Sequence, residues 1–392
     1  MSQQATTPGA ESLPSWTYSD PDFYNLERDQ LLLPAWQMLC HVSDVPEPGS
    51  YVTLPFMGEL LFAVRGKDDE IRAFHNVCRH RAARLLDQPQ GNCGSRITCP
   101  YHAWTYSLEG QLIGVPHRED YVPLDGGAYN LRPLEMGLCE GFIFVRARPS
   151  EVSFEDFIAP VAPEFKMYRT AEMRSISPLR LRQRDVNWKV ATDNYLDALH
   201  IPVAHPELSG LVGDTYRLEP SSEAYRITAD VVEAGPQSRS VNAYREILPK
   251  VDHLPEERQQ KWIYYLLWPN LAFDIYPDQM DFMQFIPMSP GKTMLREAAY
   301  ALPDTRREMK IARYLNWRIN RQVNVEDKDL IERVQAGLDT SGFETGPFGQ
   351  SETCLRDFAA RMIHTFPIAA NKKVPSVDEL RGLLSPRGPF RP

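Results

Sequence analysis

Two short motifs that pair a cysteine with a histidine constrain this chain more than any other part of its sequence. The first is Cys78-x-His80 and the second is Cys99-x-x-His102, with eighteen residues between His80 and Cys99. Two thiolates and two imidazoles from two loops are a common ligand set for zinc, and the spacing does not exclude that ion. Each motif supplies one Cys and one His, however, which suits a two-iron cluster whose one iron takes both sulfurs and whose other iron takes both imidazoles.

The other cysteines do not indicate a disulfide framework. Six cysteines spread over 392 residues are too sparse for one, and grouped cysteines in a reducing compartment more often bind metal. Cys93 lies between the two motifs but fits neither, so we expect a free thiol there. Three more stand apart and are predicted to be buried thiols: Cys40, Cys139 and Cys354.

Composition and charge restrict the partners of the chain. Hydrophobic residues make up 43% of its length, which is enough to fill the cores of two or three domains. A net charge of −9 gives no broad basic surface, so nucleic acid and anionic membrane are not expected as main partners. The first residues lack the features of a signal peptide, and no apolar run is long enough to span a bilayer. We therefore expect a cytoplasmic protein.

The sequence pattern changes twice along the chain. Asp20 precedes Pro21 as an N-cap would, which predicts a short N-terminal helix. Short β-forming runs separated by turn clusters follow, and then strands mix with helices, including one from Trp188 to about Ile201 and a long one within 306–338. This pattern predicts an α+β protein. We predict three parts: an N-terminal segment over 1–35, a small antiparallel β domain over 36–150 and a mixed domain with a tail over 151–392.

A second group of metal-binding residue types lies in NWKVATDNYLDALHIPVAHP. His200 and His205 are five residues apart, which on one helix would put them about 140° apart. Pro202 disfavours helix at the residue before it, so the helix should end around His200 and the next turn should bring His205 back to the same point. Before the break, Asp193 and Asp197 are expected to share a face with His200. An amphipathic helix with an exposed acidic face is the alternative without a metal.

A carboxylate is the usual third ligand beside two histidines in a non-heme iron site. In the helix VNVEDKDLIERVQAGL, Asp327 lies near the middle of an apolar stripe, where a carboxylate needs a partner of opposite charge. Glu326 lies about 95° from the centre of that stripe, and Asp329 and Glu332 point away from it. We predict Asp327 as the third ligand, with an acid favoured by the helix dipole as the alternative. The stripe consists of Val323, Leu330, Ile331, Val334 and Leu338.

Together these motifs resemble those of a known family. CRH followed by CPYHAW is similar to the signature of Rieske 2Fe-2S proteins. This signature is followed along the chain by DNYLDALHIPVAH and then by VEDKDLIERVQAGL, and that order of motifs resembles the oxygenase α component of Rieske non-heme iron oxygenases. The resemblance covers about residues 14–366 and implies an all-β Rieske domain followed by a helix-grip (START-like) catalytic domain with an antiparallel sheet. It also implies that Cys78 and Cys99 bind one cluster iron, His80 and His102 the other, and His200, His205 and Asp327 a mononuclear iron.

The resemblance further implies how electrons reach the mononuclear iron, where dioxygen is the co-substrate. Members form rings, commonly homotrimers, in which the cluster of one subunit feeds the iron of its neighbour. Asp197 would bridge His102 of one subunit and His200 of the next, and would orient both imidazoles. The electrons come from NAD(P)H through a separate flavin/iron-sulfur reductase, since no GxGxxG fingerprint after a strand occurs in this chain.

The sequence narrows the substrate to two classes. The chain is similar to family members that oxidise quaternary ammonium or N-methyl compounds by N-demethylation, and to ring hydroxylases of aromatic acids of benzoate or salicylate type. The aromatics of KWIYYLLWPNLAFDIYPDQMDFMQF would give the first class a cation–π pocket, although such alternating aromatics are usually sheet core. We expect the first class. A Rieske electron carrier and a zinc-stapled binding module are the alternatives outside this enzyme class.

Overall fold

The computed structural model describes residues 9–121, 123–124, 127–221, 223–232 and 238–384. It divides into two compact units. One unit is Leu33–Ser175, and the other joins the residues up to Leu32 to those from Ile176 onward. Compactness does not fix functional limits, so the predicted bounds 1–35, 36–150 and 151–392 stay a prediction.

The N-terminal segment contains helix α1 (Pro21–Glu27). The predicted cap is confirmed, because the Asp20 side chain accepts a hydrogen bond of 2.8 Å from the backbone N–H of Phe23. Glu27 at the end of α1 is fully buried and pairs with the buried ammonium of Lys189 at 2.6 Å. This ion pair fastens the segment to the residues that follow Ile176, with which it forms one unit.

The unit over Leu33–Ser175 is built mainly from short strands. Helices α2 (Phe154–Ile158) and α3 (Ala162–Met167) follow most of them. The strands are β1 (Gln37–His41), β2 (Ser50–Phe56), β3 (Glu59–Arg65), β4 (Ile71–His75), β5 (Gln90–Asn92), β6 (Ile97–Thr98), β7 (Thr105–Tyr106), β8 (Leu112–Gly114), β9 (Glu135–Cys139), β10 (Phe142–Arg146) and β11 (Arg174–Ser175). All of them except β11 belong to antiparallel sheets in the orders β4-β3-β2-β5, β1-β10-β9 and β6-β7-β8.

One apolar cluster of this unit reaches the Cys/His motifs. It joins Phe62 and Phe74 of the sheet to Trp104 and Tyr106, and it includes both motif cysteines. Cys78 is 2% exposed and Cys99 is 3% exposed. The two thiols are therefore held inside a packed core, whereas the motif histidines lie nearer the surface.

The other unit combines a large sheet with helices. Its helices are α4 (Trp188–Leu196), α5 (Ile201–Ala204), α6 (Pro206–Val212), α7 (Arg239–Ile247), α8 (Arg307–Leu338), α9 (Thr353–Thr365) and α10 (Val377–Leu383). Its strands are β12 (Arg180–Arg184), β13 (Arg217–Pro220), β14 (Ala224–Asp230), β15 (Lys261–Leu267), β16 (Leu271–Ile275), β17 (Met280–Ser289) and β18 (Lys292–Ala301). These strands pair antiparallel in the order β12-β18-β17-β16-β15-β14-β13.

The long helix α8 lies against α4, α6 and α7. Its buried residues recur at helical spacing, from Met309 and Ala312 to Ile331, so one stripe of the helix faces the core. The predicted stripe was wrong in one member, because Val334 is 52% exposed. Gln335 is buried in its place, where its side-chain oxygen accepts from the backbone N–H of Asn187 at 2.7 Å.

Two further expectations need correction. The helix that begins at Trp188 ends at Leu196, four to five residues earlier than predicted, so Asp197 and His200 do not continue the helical face of Asp193. Cys139 is only half-buried because it ends β9, which lies at the edge of its sheet, whereas Cys40 and Cys354 are buried as predicted.

Within the part of the chain that the structure describes, none of the helices combines the length and the apolar character that crossing a bilayer requires.

Candidate metal centres and cavity

The two Cys/His loops share one backbone design. In the first, the N–H of Cys78 donates to the carbonyl of Ala83 at 2.8 Å, and in the second the N–H of Cys99 donates to Trp104 at 2.8 Å. The fourth residue after each cysteine, Ala82 and Ala103, has a positive φ of 59° and 54°. Alanine rarely adopts this left-handed conformation, so two such turns at matching positions indicate a backbone shaped for a ligand.

The histidines of these loops keep one nitrogen free of any protein partner. The Nδ1 atoms of His80 and His102 are both buried and have no hydrogen-bond partner among the described residues. Their ring centroids are 4.7 Å apart, and the ring of His80 is stacked on Trp104 at 4.9 Å. A buried imidazole nitrogen without a partner costs free energy, and a metal bond removes that cost.

The four side chains supply two equal pairs of donors. Cys78 and Cys99 offer sulfur from inside the core, and His80 and His102 each offer a buried Nδ1 without a partner among the described residues. One sulfur pair and one imidazole pair match a two-iron cluster in which each iron takes one of the pairs.

Tyr106 supports the first loop from inside the core. Its hydroxyl lies 3.4 Å from the Cys78 sulfur and accepts a bond of 3.0 Å from the backbone N–H of Arg79. Burial raises the pKa of the Cys78 thiol, which a bound metal would reverse. Cys93 does not join the quartet, because its thiol donates to the carbonyl of Gly49 at 3.3 Å.

The second site is assembled where α4, α5 and α8 meet. Asp197 ends α4 in an extended conformation, and its carboxylate accepts from the backbone N–H groups of Leu199 and His200 at 2.8 and 3.1 Å. These local bonds compete with the helix and end it before Pro202 does. His200 then precedes α5 and His205 follows it, so a single helical turn separates the two imidazoles.

Three donor atoms converge in this site. The Nε2 atoms of His200 and His205 are 3.1 Å apart, and Asp327 Oδ1 lies 2.9 Å from the second and 3.5 Å from the first. Ligands at about 2.1 Å from a metal, with angles of 90–110°, lie roughly 3.0–3.4 Å apart. The three side chains predicted from the sequence are therefore placed as a two-histidine, one-carboxylate set would be.

Each histidine of this site contacts a second carboxylate through its Nδ1 atom. His200 Nδ1 lies 2.7 Å from Asp197, and His205 Nδ1 lies 2.7 Å from Glu326. Such partners fix the tautomer and turn Nε2 toward a metal. Burial lowers the pKa of His200, but the bonds to Asp197 and Asp327 outweigh it and raise the pKa to about 9.

Two residues of this site were missed by sequence reasoning. Glu326 was set aside because it lies to one side of the apolar stripe. That side of the helix, however, is where Glu326 contacts His205, which comes from another segment of the chain. Asn194 was left outside the prediction, but its amide donates to Asp327 Oδ1 at 3.1 Å and lies 3.3 Å from His200 Nε2. The sequence signal for Glu326 was its position next to Asp327. For Asn194 the signal was the similarity of its DN motif to the family pattern, and helix packing or capping was the alternative.

A cavity of about 480 Å³ opens beside the three donor atoms. Its wall comes from α4, α8 and one face of the sheet, and includes His200, His205 and Asp327. This volume is typical of small-molecule sites. The aromatic strand residues divide between the two predicted roles: Trp262 and Phe273 are buried in the core, while Tyr264 and Phe285 line the cavity together with Tyr195 and Tyr216.

Buried acids form part of the cavity wall. Asp274 of β16 and Asp281 of β17 are directly opposite each other across the two strands. Asp274 accepts from the Tyr195 hydroxyl at 2.6 Å, and Asp281 accepts from the Gln279 amide at 2.9 Å. Among the described residues, neither acid has a cationic side chain within ion-pair distance. Burial raises the pKa of Asp274 to about 7 and that of Asp281 well above its usual range.

Two stretches of the chain match known protein families. Residues 165–365 match the family "Ring hydroxylating alpha subunit (catalytic domain)", and residues 35–126 match the "Rieske [2Fe-2S] domain". The chain is 27% identical over 341 residues to the carnitine monooxygenase oxygenase subunit of Acinetobacter pittii, covering 85% of this chain and 87% of the relative. It is 30% identical over 350 residues to the chloroplastic choline monooxygenase of Beta vulgaris, covering 86% and 72%.

A solved structure shows the same fold. The structure of a quaternary ammonium Rieske monooxygenase superposes with a TM-score of 0.77 at 23% identity, and the match covers 91% of this chain and 95% of that one. The predicted fold class, an all-β Rieske domain with an α+β catalytic domain, is confirmed. The family carries a Rieske 2Fe-2S cluster and a mononuclear iron, and its oxygenase subunits depend on a separate reductase. The chain belongs to the ring-hydroxylating α-subunit family and is the oxygenase subunit of a Rieske non-heme iron system.

Proposed function

We propose that this oxygenase removes a methyl group from a quaternary ammonium or N-methyl compound by monooxygenation. The observation that carries the proposal is the acid pair Asp274 and Asp281, buried in an aromatic-lined cavity beside the candidate iron ligands and without a cationic partner among the described residues. Two adjacent buried carboxylates repel each other and favour a ligand that brings positive charge. The named activities of the carnitine and choline relatives support the same class.

The aromatic side chains suit the methyl groups of such a ligand. Tyr195, Tyr264 and Phe285 contribute ring faces to the cavity, and Tyr195 also holds Asp274 through its hydroxyl. A quaternary ammonium has no N–H to donate, so it is bound by ring faces and nearby negative charge. An aromatic acid, the other substrate class expected from the sequence, would place its apolar ring against the two buried acids.

The ligand roles follow from the donor sets. Cys78 and Cys99 would hold one cluster iron through sulfur, and His80 and His102 the other through Nδ1. His200, His205 and Asp327 would hold the mononuclear iron, which supplies open positions for dioxygen. Asp197 and Glu326 keep the two imidazoles in the tautomer that leaves Nε2 free, and Asn194 orients the Asp327 carboxylate.

The expected reaction balances as follows. One oxygen atom of O₂ enters a C–H bond of an N-methyl group, and the other leaves as water with two electrons and two protons. The resulting hydroxymethyl group loses formaldehyde by cleavage of its C–N bond, in which nitrogen keeps the electron pair and the hydroxyl proton is released. The electrons come from NAD(P)H through the separate reductase.

The assembly is a homotrimer in this proposal, in which Asp197 connects His102 of one subunit with His200 of the next. It is supported by the position of Asp197, whose carboxylate is already bonded to His200 and is only partly buried, with a side-chain exposure of 19%. A cytoplasmic location also stays a prediction.

The test is oxygen consumption by the purified protein with NADH and a surrogate reductase. The panel contains betaines, N-methylprolines and aromatic acids, with formaldehyde measured in parallel. We expect oxygen uptake with equimolar formaldehyde for a member of the N-methyl set. Uptake with a hydroxylated ring product and no formaldehyde would contradict the proposal, and the His200→Ala protein controls for uncoupled oxygen consumption.

A further inference from the structure

Strand β12 of the large sheet carries three arginines on one face. Arg180, Arg182 and Arg184 alternate along β12, and all three line the cavity. The residues between them, Leu181 and Gln183, are exposed on the opposite face. A strand that turns three guanidinium groups inward lacks the apolar face that normally packs a sheet.

Among the described residues, only one of these arginines has an acid within ion-pair distance. At longer range, Glu297 acts electrostatically on all three arginines, and Glu332 and Asp327 act on Arg184. Arg182 pairs with Glu297 of β18 at 2.8 Å. Arg180 and Arg184 have no carboxylate within ion-pair distance among the described residues. Arg184 is only 8% exposed, and its one hydrogen bond in the described part of the chain runs from Nη1 to the carbonyl of Gln183 at 3.2 Å.

A buried guanidinium in this position needs an anion. Arginine is rarely buried without a partner, because removing its charge from water is costly. Its planar set of donors matches a carboxylate, which it binds with two parallel hydrogen bonds. Because Arg184 faces the cavity and lacks a carboxylate within ion-pair distance among the described residues, a directly bonded anion can come from the ligand.

On the sheet side of the cavity, the acids without a cationic partner and the arginines lie on different strands. The unpaired acids Asp274 and Asp281 lie on β16 and β17, and the arginines lie on β12. Only β18 separates β12 from β17, so the arginine strand lies roughly 10 Å from the nearer acid strand. A small molecule with a positive and a negative end spans such a gap.

We propose that the substrate is a zwitterion, a carboxylate-bearing quaternary ammonium or N-methyl amino acid, and that Arg184, assisted by Arg180, binds its carboxylate. This inference rests on the proposed function and narrows its substrate class. It distinguishes betaine-like substrates, which carry a carboxylate, from cations with an uncharged tail, such as choline. Choline would give Asp274 and Asp281 a positively charged partner but would bring no carboxylate to the arginines. Arg184 is thus a specificity-determining residue.

The test compares each acid with its own methyl ester, which keeps the ammonium group and removes the negative charge. Glycine betaine, 4-(trimethylammonio)butanoate and the two esters are titrated into the oxidised holoenzyme by isothermal calorimetry. We expect at least one acid to bind about 10- to 100-fold more tightly than its ester. The Arg184→Gln protein should lose most of this preference by binding the acid more weakly, while its affinity for the ester is unchanged.

Three further variants make the result specific. Arg184→Lys keeps the charge without the planar donors and should retain part of the preference, while Arg180→Gln should reduce it less than Arg184→Gln. Arg307→Gln removes the same charge from an exposed site outside the cavity wall and should leave it intact. Cluster absorbance and iron content check that each variant is folded.

Equal binding of acid and ester by the wild-type protein would overturn the zwitterion proposal, as would an equal weakening of both by Arg184→Gln. If the esters or choline are then still demethylated with formaldehyde release, the proposed function stands and only the carboxylate assignment fails. If no N-methyl compound is bound or oxidised, both fail together.

Discussion

The two histidine pairs of this chain differ in which ring nitrogen has a protein partner. In the unit over Leu33–Ser175, Nδ1 of His80 and of His102 is buried without a partner among the described residues. In the other unit, a carboxylate is bonded to Nδ1 of His200 and of His205, and both Nε2 atoms lie close to the Asp327 carboxylate. The same residue type is thus prepared for metal in two opposite ways.

The difference reflects what each site must do. Two neutral imidazoles add no negative charge to a cluster, which raises its potential and suits an electron relay. Carboxylates behind the imidazoles make them more basic and fix their orientation, which suits an iron that must keep its ligands while other positions exchange. At His80 and His102 a buried nitrogen without a partner among the described residues marks where a ligand belongs, and at Asp274 and Asp281 two buried acids without a close cation do the same.

Removing one histidine from each pair should separate the two centres. The His200→Ala protein should lose the mononuclear iron and all turnover, but keep the visible colour of the cluster. The His80→Ala protein should lose the cluster colour. Metal analysis should find about two irons per chain in the first variant, against about three in the wild type. Loss of the cluster in His200→Ala would show that the pairs are not independent.

Replacing Asp197 tests whether the carboxylate on His200 also carries electrons between subunits. The Asp197→Asn protein keeps a similar shape but loses the charge, so we expect turnover to fall by about 10- to 100-fold. Its cluster should still be reduced normally by dithionite. Stopped-flow absorbance would follow cluster reoxidation by oxygen and substrate, and a wild-type rate would contradict the bridge.

Glu326 has the equivalent position behind His205 and is not expected to carry electrons. The Glu326→Gln protein should bind iron about tenfold more weakly, because the imidazole loses a charged partner. With iron in excess, cluster reoxidation should return to the wild-type rate. A defect that persists at saturating iron would give Glu326 a role in electron transfer and weaken the contrast with Asp197.

The acid pair should make ligand affinity depend on pH. Burial raises the pKa of Asp274 to about 7, with Tyr195, Tyr264, Tyr276, Asp281 and Glu297 as the ionisable groups around it. A cationic ligand favours the ionised carboxylate, so its binding lowers this pKa and releases a proton below pH 7. The contribution of Asp274 to affinity should rise with pH, by at most about tenfold per unit for one proton, and level off above pH 7. The Asp274→Asn protein should show a flatter calorimetric profile, and an unchanged slope would exclude Asp274.

The candidate metal ligands could be predicted from the sequence because their types, spacing and order are distinctive. The helix break near Pro202 correctly suggested that His200 and His205 converge, although Asp197 ends the helix earlier through bonds to Leu199 and His200. That competition between a side chain and the helix depends on local geometry that periodicity does not show.

The remaining site residues required the tertiary structure. Glu326 was judged by its angle on one helix, but the partner that it meets comes from a segment 121 residues away. Asp274 and Asp281 became a pair only through strand register, and Arg184 became conspicuous only through its burial. The common sequence signal of Asp274, Asp281 and Arg184 was a charged residue at an inward position of a strand, which binary patterning flags but does not explain.

The most direct test of the account is a single turnover without reductase. The protein is fully reduced, freed of excess reductant and mixed with oxygen and the substrate identified by the panel. One electron from the cluster and one from the ferrous iron suffice for about one product per chain. We predict that formaldehyde appears together with the absorbance of the oxidised cluster, and that Asp197→Asn slows both. Product formation while the cluster stays reduced would contradict the claim that the two centres form one electron path.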